Sequence, residues 1–450
     1  MLSDTNNKRA QFSTKIGVIA TAVGSAVGLG NIWRFPYEAG SNGGGAFMLC
    51  YIFFIFLLGV PLICAEFIVG RSTRSNEIKA FEKLAPGKKW FLNGYIGVLA
   101  SILILSFYSV VAGWTLEFFI AAVTGRMPSD MSELHDFFSE FISGNWRPLV
   151  WTVVFLLLNY LVVSRGVQKG IERLSNCLMP AMTLLLIAFC VNSLFLPGAS
   201  EGVGFLFSPD FSKIDSHSLL SAMGQAFFSL SIGLGGMLTY ASYFPDEVRL
   251  GRCATTTAVL DTFVAILAGV IIFPAVFTYG ISPQSGPTLV FETLPAIFMN
   301  LPGGAIWAAL FFFLLFMASI TSTISMSEIS IAYFEEEKKL CRKKATALTI
   351  GIATVLGAIC ALSFGPLSDI RFFGMTVFEL FDYVSSNVCL PVGGMVTSVF
   401  VGWVIDRKII DRQLNIRTNS LPWVKLLIFI LRYIAPAAIA LIFLNSLGII

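Results

Sequence analysis

Within the first long apolar run of the chain stands Gly24-Ser25-Ala26-Val27-Gly28-Leu29-Gly30-Asn31. Three glycines and two polar side chains lie here, where a helix that faces lipid would carry large apolar residues. A later apolar run holds a similar stretch, Ser229-Leu230-Ser231-Ile232-Gly233-Leu234-Gly235-Gly236. Backbone that leaves the helix inside a bilayer must find partners for its N–H and C=O groups, so such a break is tolerated only within protein or beside a polar cavity. Close helix packing through small residues is the alternative explanation of each stretch taken alone.

The composition excludes several classes of protein. Of the 450 residues, 56% are hydrophobic and 13% are charged, and the mean hydropathy is +0.79. Soluble domains carry about 25% charged residues, so this is not a water-soluble globule, a disordered chain or a nucleic-acid binder. The net charge of +3 is too small to suggest an anionic partner. The eight cysteines form no CxxC pair and adjoin no histidine, so we interpret them as small buried residues.

Eleven apolar runs are long enough to cross a bilayer as helices, which takes about 20 residues each. They cover residues 16–40, 45–70, 90–124, 149–164, 174–196, 217–242, 253–280, 304–334, 345–364, 377–404 and 423–447, and are called spans 1 to 11 below. The loops between them are too short for a separate soluble domain. We therefore predict an all-α polytopic membrane protein with one transmembrane domain over residues 1–450.

Basic residues are concentrated in alternate loops. With the N-terminus in the cytoplasm, 24 of the 30 Lys and Arg residues fall in cytoplasmic segments and four fall in outer loops. Because basic residues are retained in the cytoplasm, we predict a cytoplasmic N-terminus. Eleven spans then place the C-terminus on the extracytoplasmic side.

The two glycine stretches fall in spans 1 and 6. These positions correspond if residues 16–196 and 217–404 are two repeats of five spans, with residues 423–447 as an extra helix. Five is an odd number, so the repeats have inverted topology. Paired interruptions of this kind indicate the midplane binding site of a transporter. Half-helix N-termini suit a carboxylate, and freed carbonyls suit a hard cation such as sodium.

Polar side chains inside the spans supply further candidates. Span 8 carries a run of hydroxyls around Thr321 and Ser322, although such groups commonly bond to their own helix. Ionisable residues inside a membrane indicate function by default, and four stand out: Arg34, Glu66, Asp261 and Asp382. The first and last can meet above the central site, with a purely structural ion pair as the alternative. Asp261 would be costly in lipid without a compensating cation.

The chain resembles the neurotransmitter:sodium symporters, particularly their eleven-span bacterial amino-acid transporters. The resemblance covers essentially the whole chain and rests on GSAVGLGNIWRFP at 24–36, NGGGAF at 42–47, QAFFSLS at 225–231 and the run 322–337. It implies the fold of the leucine transporter, a 5+5 inverted repeat in which helices 1 and 6 are unwound at mid-membrane. It also implies sodium-coupled symport by alternating access.

The resemblance implies two sodium sites. The first would use the Ala26 carbonyl and the substrate carboxylate together with the side chains of Asn31, Ser229 and Asp261. The second would use the carbonyls of Gly24, Val27 and Ala318 and the hydroxyls of Thr321 and Ser322. Both sets contain oxygen only, as a hard cation requires. Because the substrate completes the first shell, each ligand should raise the affinity for the other.

The resemblance also implies a substrate site, formed by Ser25, Ala26, Gly30, Ile104, Tyr108, Phe228, Ser229, Ser231, Leu234, Ser322 and Met326. Tyr108 would donate to the substrate carboxylate, and the substrate side chain would face Ile104, Leu234 and Met326. An uncharged pocket favours a neutral L-amino acid that is hydrophobic or aromatic. The preferred amino acid stays open, because a deformable Met wall argues against narrow selectivity.

Two gates are implied as well. An ion pair of Arg34 with Asp382 would form the outer gate, above a lid of Phe228 and Tyr108. The inner gate would consist of Arg9, Glu336 and Tyr243. Gly170 and Pro180 match a family motif linked to unwinding of span 5.

The chain departs from the family pattern beside the first sodium site. Chloride-dependent members keep a neutral polar group where this chain has Ala265, and the chloride-independent leucine transporter has Glu there. Asp261 occupies a position that is usually Asn. We therefore expect Asp261 to replace chloride, while proton loading of this carboxylate on the return step stays open.

Together these features predict a sodium-coupled symporter that imports neutral, hydrophobic or aromatic L-amino acids across a bacterial inner membrane. Its partners would be the amino acid, sodium and the lipid bilayer, with no nucleic acid; the oligomeric state stays open. A sodium-independent exchanger is the alternative, against which Asn31 and the Thr321-Ser322 pair argue. An enzyme is not expected, because the two histidines lie near loops and no HExxH or GxSxG motif occurs.

Overall fold

The computed structural model describes residues 9–280, 289–415 and 422–449. Regular structure in these ranges is helical, apart from one isolated β-bridge between Phe372 and Met375. Within the described ranges, eight helices are long and apolar enough to cross a membrane: Gly45–Thr73, Lys89–Val123, Val167–Ser193, Leu250–Thr278, Gly304–Glu336, Arg342–Leu362, Val377–Val404 and Pro422–Ser446. The prediction of an all-α polytopic membrane protein is confirmed.

Of the other three predicted spans, two are broken and one is a shorter helix of 17 residues. Span 1 consists of Lys15–Ala26 and Gly30–Ser41, which meet at 53°. Span 4 is the helix Arg147–Val163, which lies at 75° to the preceding helix Met131–Ser143. Span 6 consists of Ser216–Ser229 and Gly236–Ala241, with six residues between them. Since none of these three is one long helix, the count of eleven spans stays a prediction.

The loops predicted at 125–148 and 197–216 carry short helices. The first holds Met131–Ser143, and the second holds Ala199–Phe207. Asp130 precedes the first helix, and its carboxylate accepts hydrogen bonds from the Ser132 hydroxyl at 2.5 Å and from the Ser132 N–H at 2.8 Å. These two bonds lower the pKa of the Asp130 carboxyl below its usual value. The buried apolar residues of both helices, such as Phe138 and Leu206, belong to the same hydrophobic cluster as the spans. The two helices therefore extend the core of the transmembrane domain.

Spans 3, 4, 8 and 9 pack into a scaffold beside the two broken spans. Span 3 and span 8 contact each other along their lengths, and small residues let their neighbours approach closely. A Cβ at Gly113 of span 3 would lie 2.9 Å from the Thr152 nitrogen of span 4. This tight packing leaves the broken spans as the place where a cavity can form.

Candidate functional site

Span 1 leaves the helix at Val27, whose ψ of 120° is extended, and resumes at Gly30. The freed Gly28 N–H donates to Asn31 Oδ1 at 3.0 Å, and the Leu29 N–H donates to the Tyr108 hydroxyl at 3.0 Å. A Cβ at Gly28 would lie 2.6 Å from Ser322 Oγ. A side chain at this position would have to displace the Ser322 hydroxyl, because span 8 approaches the backbone of the break.

Span 6 breaks through three residues with positive φ: 52° at Ser231, 86° at Gly233 and 81° at Gly235. Glycine adopts such values without steric cost, whereas Ser231 is strained. The buried carboxylate of Glu66 on span 2 accepts the Gly233 N–H at 2.9 Å and the Leu238 N–H at 3.2 Å. One side chain thus satisfies backbone donors in the break and in the half-helix that follows. The sequence marked Glu66 as unusual but did not predict this contact.

A cavity of about 40 Å³ lies between the two breaks. Its lining includes ten of the residues predicted to bind substrate: Ala26, Gly30, Ile104, Tyr108, Phe228, Ser229, Ser231, Leu234, Ser322 and Met326. Ser25 is buried but does not line it, and its hydroxyl points towards Gly236 of the second half of span 6. The two broken helices and spans 3 and 8 therefore converge on one site.

Four lining residues were not predicted: Gly28, Phe107, Ser386 and Leu390. Ser386 and Leu390 follow Asp382 at intervals of four, so they lie on one face of span 10. That spacing could have revealed them. Nothing in the sequence distinguishes Phe107 from the other aromatic residues of the spans.

The lining of the cavity carries no Asp, Glu, Lys, Arg or His. Hydroxyl groups of Tyr108, Ser229, Ser231, Ser322 and Ser386 supply its polar side-chain atoms. The rest of the side-chain lining is apolar and includes Ile104, Leu234 and Met326. Such a site can orient a polar head through hydroxyls and backbone groups while it surrounds an uncharged side chain.

Asn31, Ser229 and Asp261 form a buried cluster beside the cavity. The Asn31 amide nitrogen lies 2.8 Å from Asp261 Oδ1, 3.1 Å from the Asp261 carbonyl oxygen and 3.0 Å from Ser229 Oγ. The Ser229 hydroxyl donates to Asp261 Oδ2 at 2.6 Å. Tyr51 of span 2, which the sequence did not reveal, places its hydroxyl 3.2 Å from Ser229 Oγ.

The chemistry of this cluster fits a sodium ion. Three oxygen atoms surround the position that the Asn31 amide nitrogen occupies, as measured above. Rotation of the amide by 180° would bring Oδ1 to that position and complete a set of oxygen ligands of the kind that hard cations take. The Gly28 N–H would then lose its acceptor, so ion binding would be linked to the conformation of the span 1 break.

A second group of oxygens lies between spans 1 and 8. The Ser322 hydroxyl donates to the Val27 carbonyl at 3.0 Å, and the Thr321 hydroxyl lies 3.0 Å from the Ala318 carbonyl. A Cβ at Gly24 would lie 3.4 Å from the Thr321 Cβ. The structure thus brings together all five residues predicted for the second sodium site, and this set also fits a hard cation.

The expected outer ion pair is not formed in this structure. Arg34 Nε lies 3.5 Å from Glu38 Oε1, whereas Asp382 accepts a hydrogen bond from the Ser386 hydroxyl at 2.8 Å. Glu38 is one turn away on the same helix, so this pair forms without bringing spans 1 and 10 together. The Arg34 guanidinium lies 4.4 Å from the centre of the Phe228 ring. Arg34 therefore covers the lid residue without bridging to span 10.

The three residues predicted for the inner gate do come together. Arg9 forms an ion pair with Glu336, and its guanidinium lies 4.5 Å from the centre of the Tyr243 ring. The Tyr243 hydroxyl donates to Glu328 at 2.7 Å, and Arg342 donates to the same carboxylate at 2.8 Å. Glu328 and Arg342 were missed, although a Glu inside an apolar span is itself a signal.

Comparisons with known proteins identify the family of the chain. The model described as the Sodium:neurotransmitter symporter family matches residues 9–140 and 134–449. The sodium-dependent transporter YhdH of Bacillus subtilis is 41% identical over 99% of both chains. A human sodium- and chloride-dependent GABA transporter 2 is 25% identical over 99% of this chain and 81% of its own.

A solved structure is also similar. The crystal structure of MhsT in complex with L-phenylalanine superposes with a TM-score of 0.90 at 45% sequence identity. The match covers 97% of this chain and 100% of the MhsT chain. The architecture built from the two broken helices is therefore shared with a solved protein over nearly its whole length.

Proposed function

Because this chain belongs to the sodium:neurotransmitter symporter family, whose members couple transport to sodium, we propose that it imports neutral, hydrophobic or aromatic L-amino acids. One observation carries the proposal: an uncharged cavity lies between two helix breaks and directly beside buried oxygen clusters. The complex of the similar protein MhsT with L-phenylalanine supports a substrate of this class.

The substrate would bind with its polar head at the breaks. Its carboxylate would accept from the Tyr108 hydroxyl, which already receives the Leu29 N–H and keeps its own proton to donate. The ammonium group would face carbonyls of Ala26, Phe228 and Ser229. The side chain would then lie against the apolar wall that contains Met326.

The walls must move when a substrate enters. A cavity of about 40 Å³ has room for only a few water molecules. Met326 is unbranched and adapts its shape readily, and Leu234 stands beside the glycines of the span 6 break. We therefore expect several hydrophobic amino acids to bind, each with a different arrangement of these two side chains.

Two sodium ions would bind with the substrate. The first would lie at Asn31, Ser229 and Asp261 and would be completed by the substrate carboxylate. The second would lie between the span 1 break and Thr321 and Ser322. Chloride would not be required, because the Asp261 carboxylate supplies a fixed negative charge beside the first ion.

Transport would proceed by alternating access from the extracytoplasmic side, with the N-terminus in the cytoplasm. The closed network around Arg9 and Glu336 would then be the cytoplasmic gate. Spans 1, 2, 6 and 7 would move against the scaffold. Return of the empty carrier would require the gate residues to re-form these contacts.

The test is uptake of radiolabelled L-phenylalanine and L-leucine into proteoliposomes with sodium or choline outside. We expect uptake with sodium and almost none with choline, and competition by the other amino acids should rank the substrates. Liposomes that contain the Asn31→Ala variant are the matched control. Equal uptake in choline would favour the sodium-independent exchanger and overturn the proposal.

A further inference from the structure

A groove of about 930 Å³ opens where span 4 meets span 5. Three basic residues line it, Arg165, Lys169 and Arg173, together with Val162, Leu174 and Cys177. The basic residues recur every four positions, and all three side chains are exposed. Within the described ranges, none of them forms an ion pair with an acidic side chain.

Arg165 lies in the turn after span 4, and Lys169 and Arg173 lie in the helical segments that follow. Like charges that line one groove repel each other unless an anion lies among them. Arg and Lys recognise phosphate through charge-assisted hydrogen bonds. Val162 and Leu174 supply apolar lining, and on the preceding turns of span 4 Leu157 is 53% exposed and Leu161 is 51% exposed. The groove thus offers positive charge to a phosphate and an apolar surface to a hydrocarbon chain.

We propose that this groove binds the phosphate headgroup of an anionic phospholipid, with an acyl chain along the exposed face of spans 4 and 5. Basic pockets between transmembrane helices on the cytoplasmic side are suited to acidic headgroups. The charge complementarity and the exposed leucines of span 4 favour a lipid over free phosphate, which would use only the basic side chains.

The same segment also holds the start of span 1. Glu172 accepts the Ser13 N–H at 2.9 Å and the Thr14 hydroxyl at 3.0 Å, and Gln168 donates to the Gln11 carbonyl at 2.7 Å. These contacts lie only a few residues from Arg9 of the inner gate. A lipid that orders the three basic residues would therefore stabilise the contacts of Gln168 and Glu172 with the start of span 1, and with them the closed inner gate.

The first test compares a triple variant with a matched control. Arg165→Gln, Lys169→Gln and Arg173→Gln remove the three charges of the groove. Lys88→Gln, Lys89→Gln and Lys343→Gln remove the same charge from exposed positions elsewhere. The midpoint of thermal unfolding is measured for the purified protein with added phosphatidylglycerol, phosphatidylcholine or inorganic phosphate.

Phosphatidylglycerol should raise the midpoint of the wild type and of the control by several degrees more than phosphatidylcholine does. The groove variant should lose most of this difference, and inorganic phosphate should not reproduce it. An equal response of the groove variant and the control would overturn the proposal. Full stabilisation by inorganic phosphate would overturn the assignment to a lipid.

The second test measures the link to span 1 by hydrogen exchange. Phosphatidylglycerol should slow exchange of the amides in residues 10–20 at least threefold in the wild type and in the control, and leave the groove variant unchanged. Unchanged exchange in the wild type would overturn the link to the gate. Neither readout depends on transport, so these results are independent of the proposed substrate.

Discussion

The contact between Glu66 and the break of span 6 can be tested by two substitutions. Glu66→Gln keeps the shape of the side chain, whereas Glu66→Ala removes both acceptor atoms. The carboxylate accepts two backbone N–H groups, from Gly233 and Leu238, at 2.9 and 3.2 Å. Both donor residues are buried, so bulk water does not replace the lost acceptor after truncation to Ala.

The size of the effect follows from these two bonds. A hydrogen bond to a charged group contributes about 1.5–3 kcal/mol. Glutamine retains one oxygen but turns an NH₂ group towards the second donor, so we expect Glu66→Gln to destabilise the ordered break by about 2 kcal/mol, and Glu66→Ala by about 4 kcal/mol. If only the ordered break binds substrate, 2 kcal/mol lowers the apparent affinity by up to about 30-fold.

The assay is equilibrium binding of radiolabelled amino acid to purified protein in saturating sodium, with the midpoint of thermal unfolding measured in parallel. Glu82→Gln, at an exposed position outside the spans, is the matched control. We expect affinity and midpoint to fall in the order wild type, Gln variant, Ala variant. The reasoning about the break fails if both Glu66 variants bind substrate as tightly as the control.

Three further predictions concern the ions and the gate. Asn31→Ala and Ser322→Ala should each weaken sodium-dependent substrate binding at least tenfold without unfolding the protein; normal binding by both would show that the ion sites are wrongly placed. Arg34→Ala should accelerate dissociation of bound substrate more than it lowers equilibrium affinity, measured by isotope dilution, because Arg34 lies above Phe228 and outside the cavity. Transport should persist when chloride is replaced by gluconate, since Asp261 supplies the negative charge, and loss of uptake would contradict this role.

The positions of the helix breaks could be predicted from the sequence because glycine has a direct conformational meaning. Gly233 and Gly235 have positive φ, and a Cβ at Gly28 would lie 2.6 Å from Ser322 Oγ. Local residue type is sufficient for such inferences. The partner of the freed backbone could not be predicted in this way. Glu66 is 167 residues from Gly233 in the chain, and its role depends on how spans 2 and 6 pack.

The outer gate shows why a pairing is harder to predict than a position. Arg34 lies above the cavity as predicted, but it forms its ion pair with Glu38, four residues further along the same helix, and not with Asp382. Two acceptors compete for one guanidinium, and the relative position of spans 1 and 10 decides between them. The sequence shows both acceptors, Glu38 and Asp382, but it does not show the distance between spans 1 and 10.

The two oxygen clusters proposed to bind sodium share side chains with the cavity, and this sharing would be the physical basis of coupling. Ser229 lines the cavity and donates to Asp261, while Ser322 lines the cavity and donates to the Val27 carbonyl. Ser229 Oγ also accepts hydrogen bonds from Asn31 and Tyr51, and a cation bound to its lone pairs would displace them. Substrate and sodium would then act on the same atoms, and each would change the affinity for the other by the same factor.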